Sequence, residues 1–280
     1  MIRRSAQKQT CERFTMVAPC KGLLAVTAVS RRAFARHTHD GFGIGVIVKG
    51  AQRSASGRGQ VEASAGQIIT VNPNEVHDGL PICDQAREWR MIYFDPSKLG
   101  HFDLAKLDTR ELHHPVLEDR TVARAVLSLH DAITAGEAVA ETAENLLPMI
   151  LAPLLSERAP VQGWSVGLRR AVARINDAPE VPHPVAALAC EAGLSRWHFI
   201  RAFARATGLT PQAYRRQRQL HRARGAIERG LPLSDAAALA GFADQSHMTR
   251  VFAGAYGYTP GVLAATRAAR QPRTGQERAA

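Results

Sequence analysis

The chain has 280 residues, of which 45% are hydrophobic, and carries a formal net charge of +11 at pH 7. This length is sufficient for two ordinary domains that each bury a core. The apolar run at residues 23–29 is far shorter than the ~20 residues that cross a bilayer, so we expect neither a membrane protein nor an exported one.

The positive charge is concentrated in the C-terminal part of the chain. Residues 161–280 contain 17 Arg, no Lys and 7 acidic residues, which gives a net charge of +10, whereas residues 1–160 are close to neutral at +1. A basic segment joined to a neutral one is typical of a nucleic-acid-binding module attached to a second domain. A basic surface that only aids solubility is the alternative.

The four cysteines form no recognisable pattern. Cys11, Cys20, Cys83 and Cys190 are widely spaced and include no CxxC pair. The sequence therefore predicts neither a disulfide framework nor a structural zinc site, and it favours a reducing cytoplasm.

Short strand-like segments dominate the chain between about residues 23 and 93. GLLAVTAVS, GIGVIVKG, QIITVNP and WRMIYF are rich in Val, Ile, Phe and Tyr, and glycine-containing turns separate them. Regular short strands of this kind are typical of a sandwich or a barrel. We therefore predict an N-terminal arm at residues 1–20 and a β-barrel at residues 21–114.

Residues 115–156 change to a helical pattern. Four apolar residues recur at three- and four-residue steps and predict one helix stripe, namely Val122, Val126, Leu129 and Ile133. A second apolar stretch contains Pro148 and Pro153, which should kink or break its helix. Two interpretations remain open: these helices cap the barrel, or they form a dimerisation surface. The polar, Gly- and Pro-containing residues 157–166 are predicted to be a linker.

The remainder of the chain contains one pattern twice. GLSRWHFIRAFARATGLTP at residues 193–211 returns in altered form as GFADQSHMTRVFAGAYGYTP at residues 241–260. Each copy combines a short helix, a turn with glycine and a longer helix, which is the sequence form of a helix-turn-helix. We predict two such motifs and a basic helix that joins them, at residues 184–207, 233–256 and 211–229.

The two motifs share an inward face. Residues at helical spacing are expected to pack inward, namely Leu188, Leu194, Phe199, Phe203, Leu239, Phe242, Met248 and Phe252. The outward faces carry Arg, Gln and Ser, whose side chains match the donors and acceptors of base edges in a major groove. A tandem pair of motifs in a basic segment is a much stronger signal than a single one.

Four segments carry a family resemblance: LACEAGLSRWHFIRAF, QLHRARGAI, LPLSDAAALAGFADQSHMTRVF and the closing GYTP. They make residues 184–260 similar to the AraC/XylS transcription regulators. The resemblance implies an α+β protein of two domains. Its all-α DNA-binding domain is expected at residues 167–268, followed by a basic flexible tail at residues 269–280.

The resemblance also implies roles for the outward residues on successive major-groove segments of double-stranded DNA. Base reading is assigned to Trp197, Ile200, Arg201, Gln245, Ser246 and Arg250, with Thr249 on the same face. Arg196 and Arg205 are expected to contact phosphates, which position a protein without specifying sequence. Because the two outer faces differ, we expect an asymmetric element of direct-repeat layout for each protomer. RNA polymerase and a second copy of the chain, in a homodimer, are the other expected partners of a transcription activator.

Histidines mark the N-terminal domain. His37-Thr38-His39 and the later NPNEVH, which ends at His77, resemble the cupin barrel, in which HxH and a later His bind a metal. The glutamate expected shortly after His39 is absent, since Gly43 and Ile44 stand there. FARHTHDGFGIGVIVKG and REWRMIYFDP are similar to regulator cupins of the AraC type, which generally bind a small effector without metal. We therefore expect an effector pocket and no cofactor, with the pocket lined by His37, His39, His77, Trp89 and Tyr93.

Three other interpretations are open. The barrel histidines could be ordinary core residues, or they could serve a metal-dependent cupin oxygenase or isomerase, which metal analysis of the purified protein distinguishes from a regulator. An alkylation-repair protein would need a reactive cysteine, and methyl transfer to Cys11 or Cys83 tests that interpretation. The preferred hypothesis is a cytoplasmic, effector-controlled transcription regulator that is not an enzyme.

Overall fold

The computed structural model describes residues 12–83, 85–98, 110–157 and 163–270. It contains a β-rich N-terminal domain, two helices that follow it, and a helical C-terminal domain. The predicted α+β class with two domains is therefore confirmed. Cys11, residues 158–162 of the predicted linker and residues 271–280 of the predicted basic tail lie outside the described residues.

The strands of the N-terminal domain form two large antiparallel sheets. The six-stranded sheet has the order β1-β2-β9-β4-β7-β11 and consists of β1 (Arg13–Val17), β2 (Leu23–Ser30), β9 (Arg87–Phe94), β4 (Phe42–Lys49), β7 (Ile68–Val71) and β11 (Val116–Leu117). The four-stranded sheet has the order β3-β8-β5-β6 and consists of β3 (Phe34–His37), β8 (His77–Pro81), β5 (Ala51–Ser56) and β6 (Gly59–Ser64). A short ribbon pairs β10 (Arg110–Leu112) with β12 (Leu155–Glu157).

The N-terminal arm differs from the prediction. Residues 13–17, which the sequence places in an arm at 1–20, form β1 and pair with β2 along its length. Met16 is buried and Phe14 is partly buried, because both project from β1 into the interior of the protein. The five-residue strand is too short to stand out by pattern, so its pairing decides its structure.

Two helices cover the outer face of the six-stranded sheet. They are α1 (Arg120–Ala135) and α2 (Val139–Leu151), and α2 contains Pro148 but ends before Pro153. The predicted stripe of α1 packs into one core with sheet residues such as Ile44 and Ile92. Of the two interpretations for this stripe, the structure therefore supports the capping role.

The C-terminal domain contains seven helices within the described residues. They are α3 (Val166–Asp177), α4 (Val185–Glu191), α5 (Arg196–Thr207), α6 (Pro211–Arg229), α7 (Leu233–Leu239), α8 (Gln245–Tyr256) and α9 (Pro260–Arg270). α4 with α5 and α7 with α8 lie within the predicted motif bounds, and α6 has the predicted bounds of the joining helix. The sequence missed α9, so the predicted start of the tail at residue 269 falls inside a helix.

Two cores divide the helical domain. Phe199 and Phe203 of α5 pack against α3 and α4, whereas Met248 and Phe252 of α8 pack with α6, α7, α9 and the inner face of the six-stranded sheet. Both faces of that sheet are thus covered, which explains the nearly continuous burial of β2. The prediction that Leu239 packs inward is wrong, since this side chain is 37% exposed. The inward face of the short helix α7 consists of the alanines Ala236 and Ala237.

Candidate functional site

The outer face of α5 presents the residues expected to meet DNA at the first motif. Gly193 takes a positive φ of 66° in the turn, and Ser195 caps the helix by accepting from the backbone N–H of His198. Trp197 is 79% exposed, and the face as a whole includes Arg196, Trp197, Arg201 and Arg205, all exposed, with Ile200 half-buried beside them. The arrangement leaves four long side chains free to enter a groove.

The second motif repeats this local design with different side chains. Asp244 caps α8 by accepting from the backbone N–H of His247. Gln245, Ser246 and Arg250 are exposed on the first two turns, and Thr249 is half-buried next to them. All nine residues predicted to contact DNA therefore lie on the outer faces of α5 and α8, and none is buried.

The joining helix α6 and one close backbone contact fix the two motifs relative to each other. Gln219 of α6 donates its side-chain N–H to the Gly241 carbonyl, in the turn of the second motif, at 2.9 Å. Gly241 has φ 76°, and a Cβ there would lie 2.5 Å from the Cα of Glu180, which precedes the first motif. A glycine is required at this position both by its backbone conformation and by the close approach.

A cavity of about 100 Å³ lies in the N-terminal domain, between the inner faces of the two sheets. All five residues that the sequence predicts for the effector pocket line it: His37, His39, His77, Trp89 and Tyr93. The end of α8 closes it, through Ala255, Tyr256 and the following Tyr258. The cavity is thus shared between the two domains, which the sequence did not indicate.

Hydrogen bonds define the tautomers of two cavity histidines. His37 donates Nδ1–H to the Ala35 carbonyl at 2.8 Å, and His77 donates Nδ1–H to the Glu75 carbonyl at 3.0 Å. A carbonyl can only accept, so in both rings Nε2 carries the free lone pair. Their ring centroids are 4.4 Å apart, and His39 stacks on His77 at 5.2 Å.

Burial keeps these three imidazoles uncharged. Removal from water lowers the pKa of His37 to about 3 and that of His77 to about 4, and it holds the pKa of His39 well below its usual range. Neighbouring imidazoles contribute in the same direction for His37 and His39. All three rings are therefore neutral at pH 7.

The three histidines satisfy part of the requirement for a metal site. Their ligand nitrogens lie within 4.8 Å of one another, and neutral imidazoles are ligands for Zn²⁺, Cu²⁺, Ni²⁺ or Fe²⁺. Gly43 and Ile44 stand where a cupin usually has its metal-binding glutamate. A Cβ at Gly43 would lie 2.6 Å from Val71 and 2.9 Å from the Tyr93 ring, so neighbouring side chains occupy the space of a fourth ligand. The three histidines could hold such an ion with the remaining coordination positions open.

The histidine cluster predicts loss of stability in acid. A histidine whose pKa is lowered on folding destabilises the fold only when the pH is below its unfolded pKa of ~6.5. The loss of stability grows as the pH falls toward the folded pKa. At pH 5 we expect a loss of about 2 kcal/mol from His37, at about 1.4 kcal/mol for each pH unit. Urea unfolding at pH 7.5 and pH 5 measures it.

The control for this experiment is an exposed histidine. His37→Gln should reduce the acid sensitivity of the free energy of unfolding, whereas His114→Gln, on the surface, should leave it unchanged. Equal acid sensitivity in the wild type and in His37→Gln would contradict the assignment of a buried neutral ring.

Hydrogen bonds join the cavity wall to the joining helix α6. Thr38 lies between the two histidines of HxH. Its backbone N–H donates to the Gln217 side-chain carbonyl at 3.2 Å, and its hydroxyl contacts the His221 ring at 2.9 Å. Two residues after Thr38, Asp40 pairs with Arg224 of α6 at 3.1 Å. Because successive residues point to opposite sides, the histidines face the cavity while the residues between and beside them hold α6.

The end of α8 is held in a similar way. Arg32, between β2 and β3, donates to the Ala253 and Gly254 carbonyls in the last turn of α8 at 3.0 and 3.4 Å. Tyr256 lies against the cavity histidines, with its ring centroid 5.7 Å from that of His39. Both the joining helix α6 and the longer helix of the second motif, α8, are therefore docked on the N-terminal domain, and this contact region is called the domain junction.

Two polar atoms in this junction lack a partner. His39 Nδ1 and the Tyr256 hydroxyl are buried and, within the part of the chain that the structure describes, have no hydrogen-bond partner. Buried polar atoms are normally paired, so unpaired ones call for an explanation such as a bound molecule. One of these atoms belongs to each domain.

Comparison with known proteins agrees with both halves of this architecture. Residues 24–151 match the family described as AraC-like ligand binding domain, and residues 188–266 match a family described as helix-turn-helix domain. The chain is a DNA-binding transcription regulator of the AraC type. Along 242 residues it is 26% identical to an uncharacterized HTH-type transcriptional regulator, YbfI, of Bacillus subtilis, covering 77% of this chain and 81% of that one.

Solved structures of another protein, ToxT, have the same fold as this AraC-type regulator. ToxT of Vibrio cholerae bound to an unsaturated fatty acid superposes with a TM-score of 0.54 at 12% identity, covering 89% of this chain and 97% of ToxT. ToxT bound to (E)-4-(8-methylnaphthalen-1-yl)but-3-enoic acid gives the same TM-score and identity, covering 88% and 100%. None of the helices in the described part of the chain combines the length and the hydrophobicity of a membrane-spanning segment.

Proposed function

We propose that a small-molecule effector binds the cavity at the domain junction and thereby sets how the regulator presents its two recognition helices to DNA. The observation that carries the proposal is the pair of unpartnered buried atoms, His39 Nδ1 and the Tyr256 hydroxyl, one from each domain. A ligand that bonds to both is held only while the domains are docked. Such a ligand has a differential affinity for the docked arrangement, which is the requirement for control.

The proposed path from cavity to DNA is short. Tyr256 ends α8, and the base-reading residues of the second motif occupy the beginning of the same helix. α6 adds a second connection, because it carries the first motif at one end and contacts Thr38 beside the histidines. Small shifts at the cavity would therefore change the spacing of α5 and α8, which must match one turn of the duplex.

We infer the following roles on DNA. Trp197, Ile200 and Arg201 read bases through α5, and Gln245, Ser246 and Arg250 do so through α8, with Thr249 on the same face, while Arg196 and Arg205 contact phosphates. Their position on the outer faces of α5 and α8 supports contact with DNA. Ile200 can contact only apolar groups such as a thymine methyl, so Arg201 supplies the polar discrimination of the first motif.

We further infer that the protein acts as a homodimer in the cytoplasm, with RNA polymerase as its protein partner, and that it activates transcription without being an enzyme. The AraC-type architecture supports a regulator. The six-stranded sheet and α1 use their apolar faces within the chain, so a dimer would form through other surfaces.

The proposal is tested by removing the Tyr256 hydroxyl. Tyr256→Phe keeps the packed ring and deletes an unpaired buried group, so the free energy of unfolding should stay constant or rise by about 0.5–1 kcal/mol. Regulation of a reporter placed behind the protein's DNA element should be reduced or lost. Urea unfolding and reporter assays at matched protein level measure the two effects.

Tyr214→Phe is the matched control, since its hydroxyl donates to Asn176 inside the DNA-binding domain and lies away from the cavity. It should cost about 1 kcal/mol of stability and leave effector-dependent regulation intact. If Tyr256→Phe regulated the reporter as the wild type does, the cavity would not be the effector site.

A further inference from the structure

Arg87 is a charged residue in the cavity wall that the sequence analysis did not select. It begins β9 in the six-stranded sheet, is 1% exposed, and crosses to the four-stranded sheet. Its Nε donates to the Gln52 side-chain carbonyl at 3.1 Å, Nη2 to the Gly79 carbonyl at 3.2 Å and Nη1 to the Arg32 carbonyl at 3.1 Å. Three hydrogen bonds thus hold the guanidinium at the cavity surface.

This guanidinium has no acidic partner within the described residues. All three of its acceptors are neutral, and burial alone accounts for the lowering of its pKa to about 10, with no opposite charge to raise it. Phe34 and Trp89 lie beside it, with its central carbon 5.6 and 4.9 Å from their ring centroids. A buried charge that lacks a counter-charge is costly, so its retention suggests a ligand that supplies one.

Two other arginines near the cavity, the half-buried Arg58 and the buried Arg224, differ in this respect. Arg58, which also lines the cavity, forms a two-point pair with Glu75 at 2.8 Å, and Arg224 pairs with Asp40. The remaining acid of the cavity wall, Asp78, accepts the Ala55 backbone N–H at 2.7 Å and lies 4.0 Å from Arg36. The positive charge left for a ligand is therefore that of Arg87.

The rest of the cavity is suited to an apolar body. Phe14, Phe34 and Trp89 form an edge-to-face aromatic cluster next to Arg87, with centroid separations of 6.0 to 6.3 Å. The three histidines opposite are uncharged. A volume of about 100 Å³ holds about seven to ten non-hydrogen atoms, if ~10–15 Å³ is taken for each.

We propose that the effector is a small monocarboxylic acid with an aromatic or short aliphatic body, and that its carboxylate pairs with Arg87. Five N–H groups belong to a guanidinium and three are used within the protein, so two remain for a carboxylate in the fork geometry that arginine favours. This inference rests on the proposed function, because it names the ligand class of the same cavity.

Arg87 also connects the ligand to the second recognition helix. The Arg32 carbonyl accepts from Arg87, and the Arg32 guanidinium donates to the Ala253 and Gly254 carbonyls at the end of α8. A carboxylate that draws Arg87 toward itself changes the position of Arg32 and, with it, the anchor of α8. The coupling requires only two consecutive hydrogen-bonded contacts.

Benzoate and its neutral analogue benzamide test the proposal on the full-length protein by isothermal titration calorimetry at pH 7.5. Benzoate should bind with a Kd of about 1 mM, as expected for about nine non-hydrogen atoms, and benzamide at least about tenfold more weakly. Arg87→Gln should abolish this preference. The double variant Arg53→Gln/Glu62→Gln removes an exposed ion pair of the four-stranded sheet, outside the cavity wall, without changing the net charge, and it should retain the preference.

Equal binding of benzoate and benzamide by the wild type, or no binding of benzoate up to about 20 mM, would overturn the proposal. If Arg87→Gln does not fold, Arg87→Lys keeps the charge without the fork and should show a reduced but measurable preference. If Arg87 only stabilises the packing of the two sheets, its variants should have a lower melting temperature but an unchanged ratio of the affinities for benzoate and benzamide. If the benzoate experiment overturns the carboxylate proposal, the effector site itself is still tested by the Tyr256→Phe reporter experiment, which does not depend on ligand charge.

Discussion

Replacing Arg201 or Arg250 with alanine is expected to weaken binding to the protein's own DNA element by about 5- to 150-fold, which corresponds to about 1–3 kcal/mol for a lost two-point contact with a base. Both side chains are exposed on the outer faces of α5 and α8 and take no part in either core, so neither change should unfold the protein. Fluorescence anisotropy with the element and with unrelated DNA measures the loss. Binding to unrelated DNA should change little.

Arg205→Ala is the matched control for this pair, since Arg205 is exposed on the same helix as Arg201 but is assigned to a phosphate. It should weaken binding to all DNA sequences by a similar factor and reduce the slope of log affinity against log salt by about 0.9. If Arg201→Ala or Arg250→Ala weakened all sequences equally, these residues would be phosphate contacts and the base-reading assignment would be wrong.

The largest expected effect on the junction comes from Asp40→Asn. Asp40 pairs with Arg224 of α6, whose side chain is only 7% exposed, whereas that of Asp40 is 33% exposed. Removing the charge of Asp40 should weaken docking of the two domains by about 1–3 kcal/mol, because a buried arginine loses one of its carboxylates. Amide hydrogen exchange in α6 and β3 should become faster, and affinity for the DNA element should change.

Glu228→Gln provides a close control for Asp40→Asn. Glu228 pairs with the same Arg224 at 3.0 Å but lies one turn away on α6, so its loss removes a charge from Arg224 without touching the N-terminal domain. We expect little change of hydrogen exchange in β3. Similar effects of both substitutions would mean that Arg224 stabilises α6 and not the docking of the domains.

The helical domain was largely predictable because its signals are local. Ser195 and Asp244 cap the recognition helices, glycines mark the turns, and Phe199, Phe203 and Phe252 recur at helical spacing. Leu239 was the exception. Its spacing fits an inward face, but α7 is only seven residues long and buries its alanines. Periodicity gives the face of a short helix only approximately.

The junction was beyond sequence analysis because it joins residues far apart in the chain. The five cavity residues were found from a resemblance, whereas Tyr256 resembled an ordinary core aromatic of the second motif and Arg87 an ordinary charged residue at a strand end. Tyr256 reaches the cavity because α8 docks against His39, and Arg87 is held there by its acceptors on the opposite sheet, Gln52 and Gly79. Neither contact leaves a local pattern. β1 escaped for the same reason, since pairing with β2 defines it.

Selection of DNA from a random pool by the wild type, Arg201→Ala and Arg250→Ala tests the central claim most directly. The wild type should enrich one element with two unlike parts whose centres are about 10–10.5 base pairs apart, because α5 and α8 occupy successive major-groove segments. Arg201→Ala should erase sequence preference in one part only, and Arg250→Ala in the other. Loss of preference at the same positions in both variants, or a palindromic element for a single protomer, would contradict two independent reading helices.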